Sequence, residues 1–477
     1  MNEPSSVHEL ADSLRRDLDR YSEGEKLPSS RALVERHQVS PVTVSRAIAV
    51  LVAEGLVVAR PGAGVFRAPR AGGGARPGDL SWQEVALSAE VGPANPGVAG
   101  LLTTLTVPPP DVIDLNGGYP HSSLLPERTL AGALARAGRR PGAWGRPPVD
   151  GLTELRAWFA RDIGGAGGSL SAAEVLVTAG GQSALTTALR SLVAPGAPVL
   201  VESPTYPGTL AVARAAGLRP VPVPVDADGV RTDLLAEAFE ATRARAFVCQ
   251  PLFQNPTGAV LSAPRRAEVL RIARAAGAFV IEDDFARRLV HADAAALPRP
   301  LAAEDPDGVV VHVRSLTKAA SPSLRVAALS ARGPALERLR AVQVVDSFFV
   351  PRPLQEATLE LVGDPGWARH LRVLAAELRD RREAAVAALR RGLPGLLGTA
   401  VPAGGYHLWL RLPDGTDEAA AAAAALRAGV GVTPGRPYFA AEPPGPHLRL
   451  SYAAAESAAQ VAEGVERLRR ACAEDRA

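Results

Sequence analysis

Apolar residues recur at helical spacing from the start of the chain. Val7, Leu10, Ala11, Leu14 and Leu18 fall on one face of a first helix. Ser6, with Glu9 three residues on, reads as a capping box ahead of it. Pro28 breaks the chain and Ser29 can cap a second helix; Gln38 and Val39 make a turn. Ser40-Pro41 supplies a cap and a first-turn proline for a third helix. There Val44, Ala47, Ile48 and Leu51 face a core, while Thr43 and Arg46, three apart, share the opposite face. Leu56 to Phe66 reads as a strand, a turn over Arg60–Gly64 and a strand. Three short helices and a β-hairpin predict a winged helix-turn-helix.

The pattern changes at Ala68. From there to about Pro110 the chain is rich in Gly, Pro, Ala and Arg, with Gly72–Gly74 near the start. This is flexible-linker composition, with one short helix expected over Ser81–Leu87. Beyond it, short apolar strands alternate with helical stretches. The strands are Val175–Thr178, Pro198–Glu202, Ala246–Gln250, Phe279–Glu282 and Val309–Val313. Such alternation implies an α/β fold with a mostly parallel sheet. The expected division is a winged helix-turn-helix domain over 1–68, a linker over 69–110 and an α/β region over 111–474.

Length agrees with a multidomain chain: 477 residues, 47% of them apolar, suffice for two or three cores. Two cysteines, Cys249 and Cys472, make neither a disulfide framework nor a metal-ligand spacing, so no metal is expected. A reducing cytoplasm is the expected compartment. No apolar signal core opens the chain, and no stretch of about 18 apolar residues is free of charges or helix breakers, so no membrane association is expected. The alanine-rich run 419–425, between Glu418 and Arg427, reads as a helix.

The net charge of +3 excludes a uniformly basic nucleic-acid protein. Its placement says more. Residues 27–70 carry six arginines (31, 36, 46, 60, 67 and 70) against Glu35 and Glu54, whereas residues 1–26 carry four basic and seven acidic groups. Positive charge thus gathers on the second helix, the third helix and the hairpin, where duplex phosphates would lie.

Of 53 basic residues only Lys26 and Lys318 are lysine. Arginine replaces lysine wherever a generic positive charge suffices, but not where a primary amine must lose its proton and attack a carbonyl. That chemistry is imine formation, by which lysine holds pyridoxal phosphate. A chance survivor on a loop is the plain alternative. Context favours chemistry: Ser315–Lys318 leave the carboxyl end of a buried strand, where α/β folds bind ligands. Arg325, seven residues on, can return to hold a phosphate.

Other polar motifs also follow strand ends. Thr178–Ser183 is a glycine-containing strand-to-helix turn, suited to an anion. Tyr206 can stack on a planar ring, and Asn255, in Gln254-Asn-Pro-Thr-Gly258, is a donor on a rigid turn. Glu282-Asp283-Asp284 ends an apolar strand; adjacent carboxylates repel, so a cation nearby would help them. A pyridinium nitrogen is one candidate, and a surface turn or a metal are others. Arg449, in His447–Tyr452, is an inward arginine suited to a carboxylate. Each motif alone also serves packing or a turn; the ordered series is more specific.

Two resemblances follow. Leu27–Arg31, Val39–Val44, Leu51–Leu56 and Pro61–Gly64 resemble the GntR-type winged helix. The resemblance implies DNA contacts from Arg31, Ser40, Thr43, Arg46, Gly62 and Gly64. The later series resembles fold-type I pyridoxal-phosphate enzymes of the aminotransferase class I/II superfamily, with a large sheet domain and a small C-terminal domain. It implies that Lys318 forms the imine and Asp283 pairs with the pyridine nitrogen. It implies further that Asn255 donates to the phenolic oxygen and Tyr206 stacks on the ring. Gly181, Gln182, Ser315 and Arg325 would bind the phosphate, and Arg449 a substrate or effector carboxylate.

Together the two parts resemble the MocR/GabR-type transcriptional regulators, as does Trp367–Arg372 followed by Arg379–Arg382. That resemblance implies pyridoxal 5'-phosphate as cofactor, a double-stranded DNA operator, and an amine, amino acid or the cofactor itself as effector. It also implies a homodimer with each DNA-binding domain over the partner's aminotransferase domain. The rival expectation is a working aminotransferase carrying a winged helix. Two positions depart from the family pattern: Phe285 and Trp144 stand where relatives usually have tyrosine. Both remove a hydroxyl from the cofactor shell, so cofactor binding with weak or no transamination is expected.

Overall fold

The computed structural model describes residues 3–69, 79–88, 97–165, 168–398 and 400–474. The chain divides into two compact units, Met1–Gly92 and Pro93–Ala477.

The first unit holds helices α1 (Glu3–Asp17), α2 (Ser30–His37) and α3 (Pro41–Ala53), and antiparallel strands β1 (Val57–Arg60) and β2 (Gly64–Arg67). Leu10, Leu14 and Leu18 from the first stretch bury against Leu33, Val44, Leu51 and Val57. Ser29 accepts a hydrogen bond from the Ala32 amide at 3.2 Å, and Ser40 from the Thr43 amide at 3.1 Å, so both caps form. The start of α1 differs from the expectation. The helix begins at Glu3, which puts Ser6 inside it instead of at its cap. A proline in a first helical turn costs nothing, because its missing N–H has no intrahelical partner there.

The hairpin is wider than a lone wing. The Leu27 amide donates to the Val65 carbonyl at 2.8 Å and the Arg67 amide to the Glu25 carbonyl at 2.8 Å, so residues 25–27 run along β2. Gly64 lies at φ 117°, and a β-carbon there would come within 2.7 Å of Lys26 Cε. Helix α4 (Ser81–Ser88) occupies the stretch expected to be helical in the linker. Gly72–Gly74 lie outside the described residues. The next element, α5 (Ala99–Thr103), belongs to the second unit, and Thr104 at its end is buried.

The second unit is built on an eight-stranded sheet. In chain order, β3 (Ile113–Asp114) precedes β4 (Val175–Thr178), β5 (Pro198–Ser203), β6 (Arg219–Asp226), β7 (Gly229–Val230), β8 (Ala246–Cys249), β9 (Phe279–Asp284), β10 (Val310–Ser315) and β11 (Ala327–Ser330). The sheet order is β4-β11-β10-β9-β8-β5-β6-β7. Strands β10, β9, β8, β5 and β6 are successively parallel, whereas β11 is antiparallel to both neighbours and β7 to β6. Alternate residues of one strand serve opposite faces. Val199, Val201 and Ile281 pack with Leu185 and Leu189 of the helix Gly181–Leu192. Leu200, Phe247 and Val280 pack with Phe239 and Val269 on the other side.

The strands left unnamed by sequence are informative. In β6 proline stands at 220, 222 and 224, a pattern that argues against a central strand. It survives because β7 pairs only with residues 225 and 226, leaving most of that edge without a partner that needs the missing N–H. A smaller sheet combines β12 (His407–Arg411), β14 (Thr433–Pro434) and β15 (His447–Ser451), and β13 (Val430–Gly431) pairs with β3.

Candidate cofactor site and DNA-binding face

Five strand ends converge on one pocket in the second unit. Between β4 and the helix Gly181–Leu192 the chain turns at Gly180, φ 90°. A β-carbon on Gly180 would lie 2.6 Å from the Arg325 guanidinium. Because β11 runs against its neighbours, its start returns to the edge where the parallel strands end. Arg325, two residues before it, donates from Nη2 to the Ala179 carbonyl at 2.8 Å. Ser315, the last residue of β10, faces the same turn. A guanidinium, a hydroxyl and a helix N-terminus thus share one end of the pocket, the donor set of an anion cradle.

Tyr206 follows β5. A β-carbon on Gly208 would sit 2.2 Å from its ring, so only glycine admits the ring there. Its hydroxyl donates to Gln182 Oε1 at 3.4 Å, and Gln182 Nε2 donates to the Gly208 carbonyl at 3.2 Å. The Gln182 side chain therefore braces the tyrosine, leaving its backbone amide at the helix start. Asn255, after β8, has its Oδ1 facing Arg449 at 3.5 Å, so its NH2 group is the donor it has to offer.

The three successive acids separate by strand alternation. Glu282 and Asp284 point to one face, Asp283 to the other, where it lines the pocket. Glu282 accepts from His312 Nδ1 at 2.7 Å and the Leu301 amide at 2.8 Å. Asp284 meets Arg287 at 2.6 Å and Arg314 at 3.2 Å. Burial alone would push both carboxyls up; His312 on Glu282, and Arg314 and Arg287 on Asp284, hold them below their ordinary values. Although Glu282, Asp284 and His312 bring ligand-type atoms within 4.8 Å of one another, these protein partners already meet their charge.

Asp283 receives a hydrogen bond from Gln250 Nε2 at 2.7 Å. Burial raises its pKa to about 6, against the pull of that bond. Lys318, three residues past β10, donates its amine to the Gly118 carbonyl and lies 3.6 Å from the centroid of the Tyr119 ring. Burial, with Arg449 and Arg325 pushing the same way and Asp283 opposing, lowers its pKa to about 7. A good share of this amine is therefore unprotonated at neutral pH and can attack a carbonyl. Arg449, central in β15, is buried; its Nη2 donates to the Asn116 carbonyl at 2.5 Å and its guanidinium lies 5.4 Å from the Tyr438 ring.

Several lining residues were not singled out from sequence: Thr104, Leu105, Tyr119, Gln250, Thr317 and Tyr406. The signal that could have found two of them is scarcity. Of six tyrosines in the chain, 119, 206 and 406 line the pocket and 438 packs on Arg449. Phe285 lines the pocket without a hydroxyl. Trp144 does not line it; it is 81% exposed, with its indole N–H donating to the Gly138 carbonyl at 3.2 Å.

The pocket fits pyridoxal phosphate. An amine with depressed pKa, a single buried acid, a ring to stack upon and an anion cradle surround one space. Thr317 Oγ1, buried on its wall, has no hydrogen-bond partner among the described residues, as a group reserved for a ligand would.

In the first unit, Arg31, Arg46 and Arg60 are exposed. Arg31 lies 3.5 Å from Glu35, and Arg60 sits over the Phe66 ring at 4.8 Å. The Ser40 and Thr43 hydroxyls meet at 2.8 Å, at the start of α3. Gly62, φ 73°, and Gly64 form the hairpin turn. The positive face is narrower than the arginine count suggested. Arg36 pairs with Asp17 at 3.1 Å and Arg67, buried, with Asp19 at 3.4 Å; Arg70 lies outside the described residues. Arg36 stays exposed beside Asp17, the last residue of α1, whereas Arg67 is turned inward.

The fold and this donor set define a fold-type I pyridoxal-phosphate protein. Residues 110–468 match the family model of aminotransferase class I and II, and residues 7–66 that of bacterial regulatory proteins of the gntR family. The chain belongs to the aminotransferase class I and II family, and a DNA-binding winged helix precedes that part, the domain composition of MocR/GabR-type regulators. It is 34% identical over 396 residues to 2-aminoadipate transaminase of Thermus thermophilus, covering 82% of this chain and 97% of that one. The HTH-type transcriptional regulator YdcR of Escherichia coli is 27% identical over 445 residues, covering 91% and 92%. The vitamin B6 salvage pathway transcriptional repressor PtsJ of Salmonella typhimurium is 32% identical over 302 residues, covering 63% and 66%. Among solved structures, LysN, the alpha-aminoadipate aminotransferase of Thermus thermophilus complexed with N-(5'-phosphopyridoxyl)-L-leucine, superposes with a TM-score of 0.74. Its identity is 31%, over 83% of this chain and 99% of that one. Among the described residues no helix is long and apolar enough to cross a membrane.

Proposed function

We propose that the chain is a pyridoxal-phosphate-dependent transcriptional regulator. It binds a DNA operator through the winged helix and senses an amine, an amino acid or the cofactor through the aminotransferase-like unit. One observation carries the reading: Lys318 and Asp283 line a single pocket between Arg325 and Arg449, in a chain that begins with a GntR-type winged helix.

When bound, the cofactor supplies an aldehyde with which amines condense and a ring that draws electrons. Lys318 would hold it through the unprotonated amine. Asp283 would keep a proton on the ring nitrogen, Asn255 would donate to the phenolic oxygen, and Tyr206 would stack on the ring. Backbone amides of Gly181 and Gln182, with Ser315 and Arg325, would hold the phosphate. Arg449 takes an effector carboxylate, exchanging its bond to Asn116 for a charge-assisted pair. On the DNA, Arg31, Ser40, Thr43, Arg46 and the turn of Gly62 and Gly64 contact the duplex. Residues 1–68 serve as the DNA-binding domain, 69–110 as the linker and 111–474 as the sensing domain. The protein works in the cytoplasm as a homodimer, each winged helix over the partner's sensing domain. Trp144, Val345 and Phe348, 81%, 79% and 67% exposed, support a second copy covering that unit. Effector binding shifts the dimer between states of different DNA affinity, which requires that it bind the two states unequally. Phe285 would leave the phenolic oxygen one donor short, which would weaken turnover.

The test is the visible spectrum of the purified protein with pyridoxal phosphate, beside Lys318→Ala, followed by band-shift of DNA from upstream of its own coding region. A band that Lys318→Ala lacks, and a DNA shift that responds to an amine or amino acid, are expected. Steady conversion of an amino donor and a keto acid, indifferent to DNA, would instead identify a working aminotransferase.

A further inference from the structure

Gln250 lies one residue past β8, and its side-chain amide is held at both ends. Nε2 donates to Asp283 Oδ2 at 2.7 Å, and Oε1 accepts from the Asn255 backbone amide at 3.0 Å. The Gln250 backbone amide donates in turn to Glu202 Oε2 at 3.0 Å, tying it to the end of the neighbouring strand. These contacts leave the amide one orientation. A backbone N–H can only donate, so Oε1 must face Asn255, and Nε2 must then face Asp283.

The consequence is electrostatic. Asp283 is buried among Glu202 on β5, Asp284 on its own strand, His312 on β10 and Lys318. Burial and the two neighbouring acids favour the protonated carboxyl; a donated N–H favours the carboxylate. Among the described residues Gln250 is the only side chain that donates to Asp283. A protonated Asp283 could not stabilise a proton on a ring nitrogen facing it. The same amide fixes the backbone that carries Asn255.

We propose that Gln250 is a positioning residue: it keeps Asp283 ionised, and thereby keeps the cofactor's ring nitrogen protonated, while setting the place of Asn255. This rests on the reading of the pocket as a pyridoxal-phosphate site. Gln250 couples the group assigned to the ring nitrogen with the group assigned to the phenolic oxygen, so the ring's electron demand depends on a residue that need not touch the substrate.

The discriminating variant is Gln250→Glu. It keeps the size and the acceptor for the Asn255 amide but replaces the donor to Asp283 with a second carboxyl. Gln250→Leu, which removes both contacts without adding charge, guards against misfolding of the first. Two readouts are taken on the full-length protein. One is the nitrogen NMR shift of bound pyridoxal phosphate labelled with 15N in the ring. The other is the affinity for pyridoxal phosphate compared with an analogue carrying carbon in place of the ring nitrogen. The wild type should show a pyridinium shift. Both variants should move it toward neutral pyridine and weaken pyridoxal phosphate roughly 10- to 100-fold, the worth of a hydrogen bond to a charged group. The analogue, having no ring nitrogen, should bind the wild type and Gln250→Glu alike. A pyridinium shift retained in both variants, or parallel weakening of both ligands by Gln250→Glu, would overturn the proposal. Failure of the wild type to bind pyridoxal phosphate at all would overturn the pocket reading itself.

Discussion

Lys318 donates its amine to the carbonyl of Gly118, 200 residues away in sequence. The same carbonyl accepts the Tyr406 hydroxyl at 2.7 Å, and the Gly118 amide donates to the Thr104 carbonyl at 2.9 Å. A neutral acceptor, in place of a carboxylate, holds the amine without restoring its proton affinity. Burial therefore keeps its pKa at about 7.

Cofactor attachment to the apo-protein should follow that pKa. Below it the rate should rise about tenfold per pH unit as the amine loses its proton, and above it the rate should level. Stopped-flow absorbance checks this. A rate still climbing toward pH 10, as for an ordinary lysine, would contradict the assignment.

Phe285→Tyr should restore a donor on the pocket wall. We expect single-turnover transamination to quicken about five- to tenfold, the worth of one neutral hydrogen bond made to developing charge. Cofactor affinity should change less. Unchanged turnover would remove Phe285 as the cause of weak catalysis.

Arg449→Met keeps bulk and removes charge. Amino acids should perturb the bound cofactor's spectrum roughly 100-fold more weakly, the scale of a buried charge-assisted pair, and amines without a carboxylate should act as before. Titration of the visible band with both ligand classes distinguishes the two. Equal loss for both would make Arg449 a structural residue only.

Arg46→Ala should weaken operator binding and lower the slope of log affinity against log salt by about one, as expected when one phosphate contact is lost. Fluorescence anisotropy at several salt concentrations measures the slope. Full affinity and an unaltered slope would place Arg46 off the DNA.

Arg314→Leu should destabilise the second unit by about 1.5–3 kcal/mol, because Asp284 and Asp162 each lose one of two guanidinium partners and keep only Arg287 and Arg288. In the wild type Asp284 is held below its ordinary value, so its contribution is present above the unfolded pKa and lost as pH falls through the folded one. In the variant Arg287 alone holds the carboxyl down beside His312, so the folded pKa rises and the stabilisation present above the unfolded pKa shrinks. The deficit should be full at neutral pH and shrink as pH falls toward the aspartate range. Denaturant unfolding at neutral and acid pH reads this; a deficit independent of pH would point to lost packing alone.

Legibility varied with how local the cause was. The caps at Ser29 and Ser40 and the core face of α3 were readable because they depend on neighbours within a turn of helix. Strands β4, β5, β8, β9 and β10 showed as apolar runs because both their faces are buried. Strand β6 did not, since its prolines are tolerable only where one side lacks a full partner, as beside the two-residue β7, and that belongs to the sheet and not the strand. Strand β11, Ala-Ala-Leu-Ser, is too short and too poor in β-branched residues to announce itself.

By itself the sequence determined the chemistry on offer: one lysine kept beside a strand end, an acid triplet, a glycine turn and an arginine-bearing winged helix. These are properties of residue type and short spacing. Only the tertiary structure decided that Gln250 grips Asp283, and that Tyr119, Tyr406 and Thr104 line the same pocket as Lys318. It also paired Arg36 with Asp17 and buried Arg67 beside Asp19. Partners so far apart in the chain meet through strand order and burial, which no single stretch of sequence encodes.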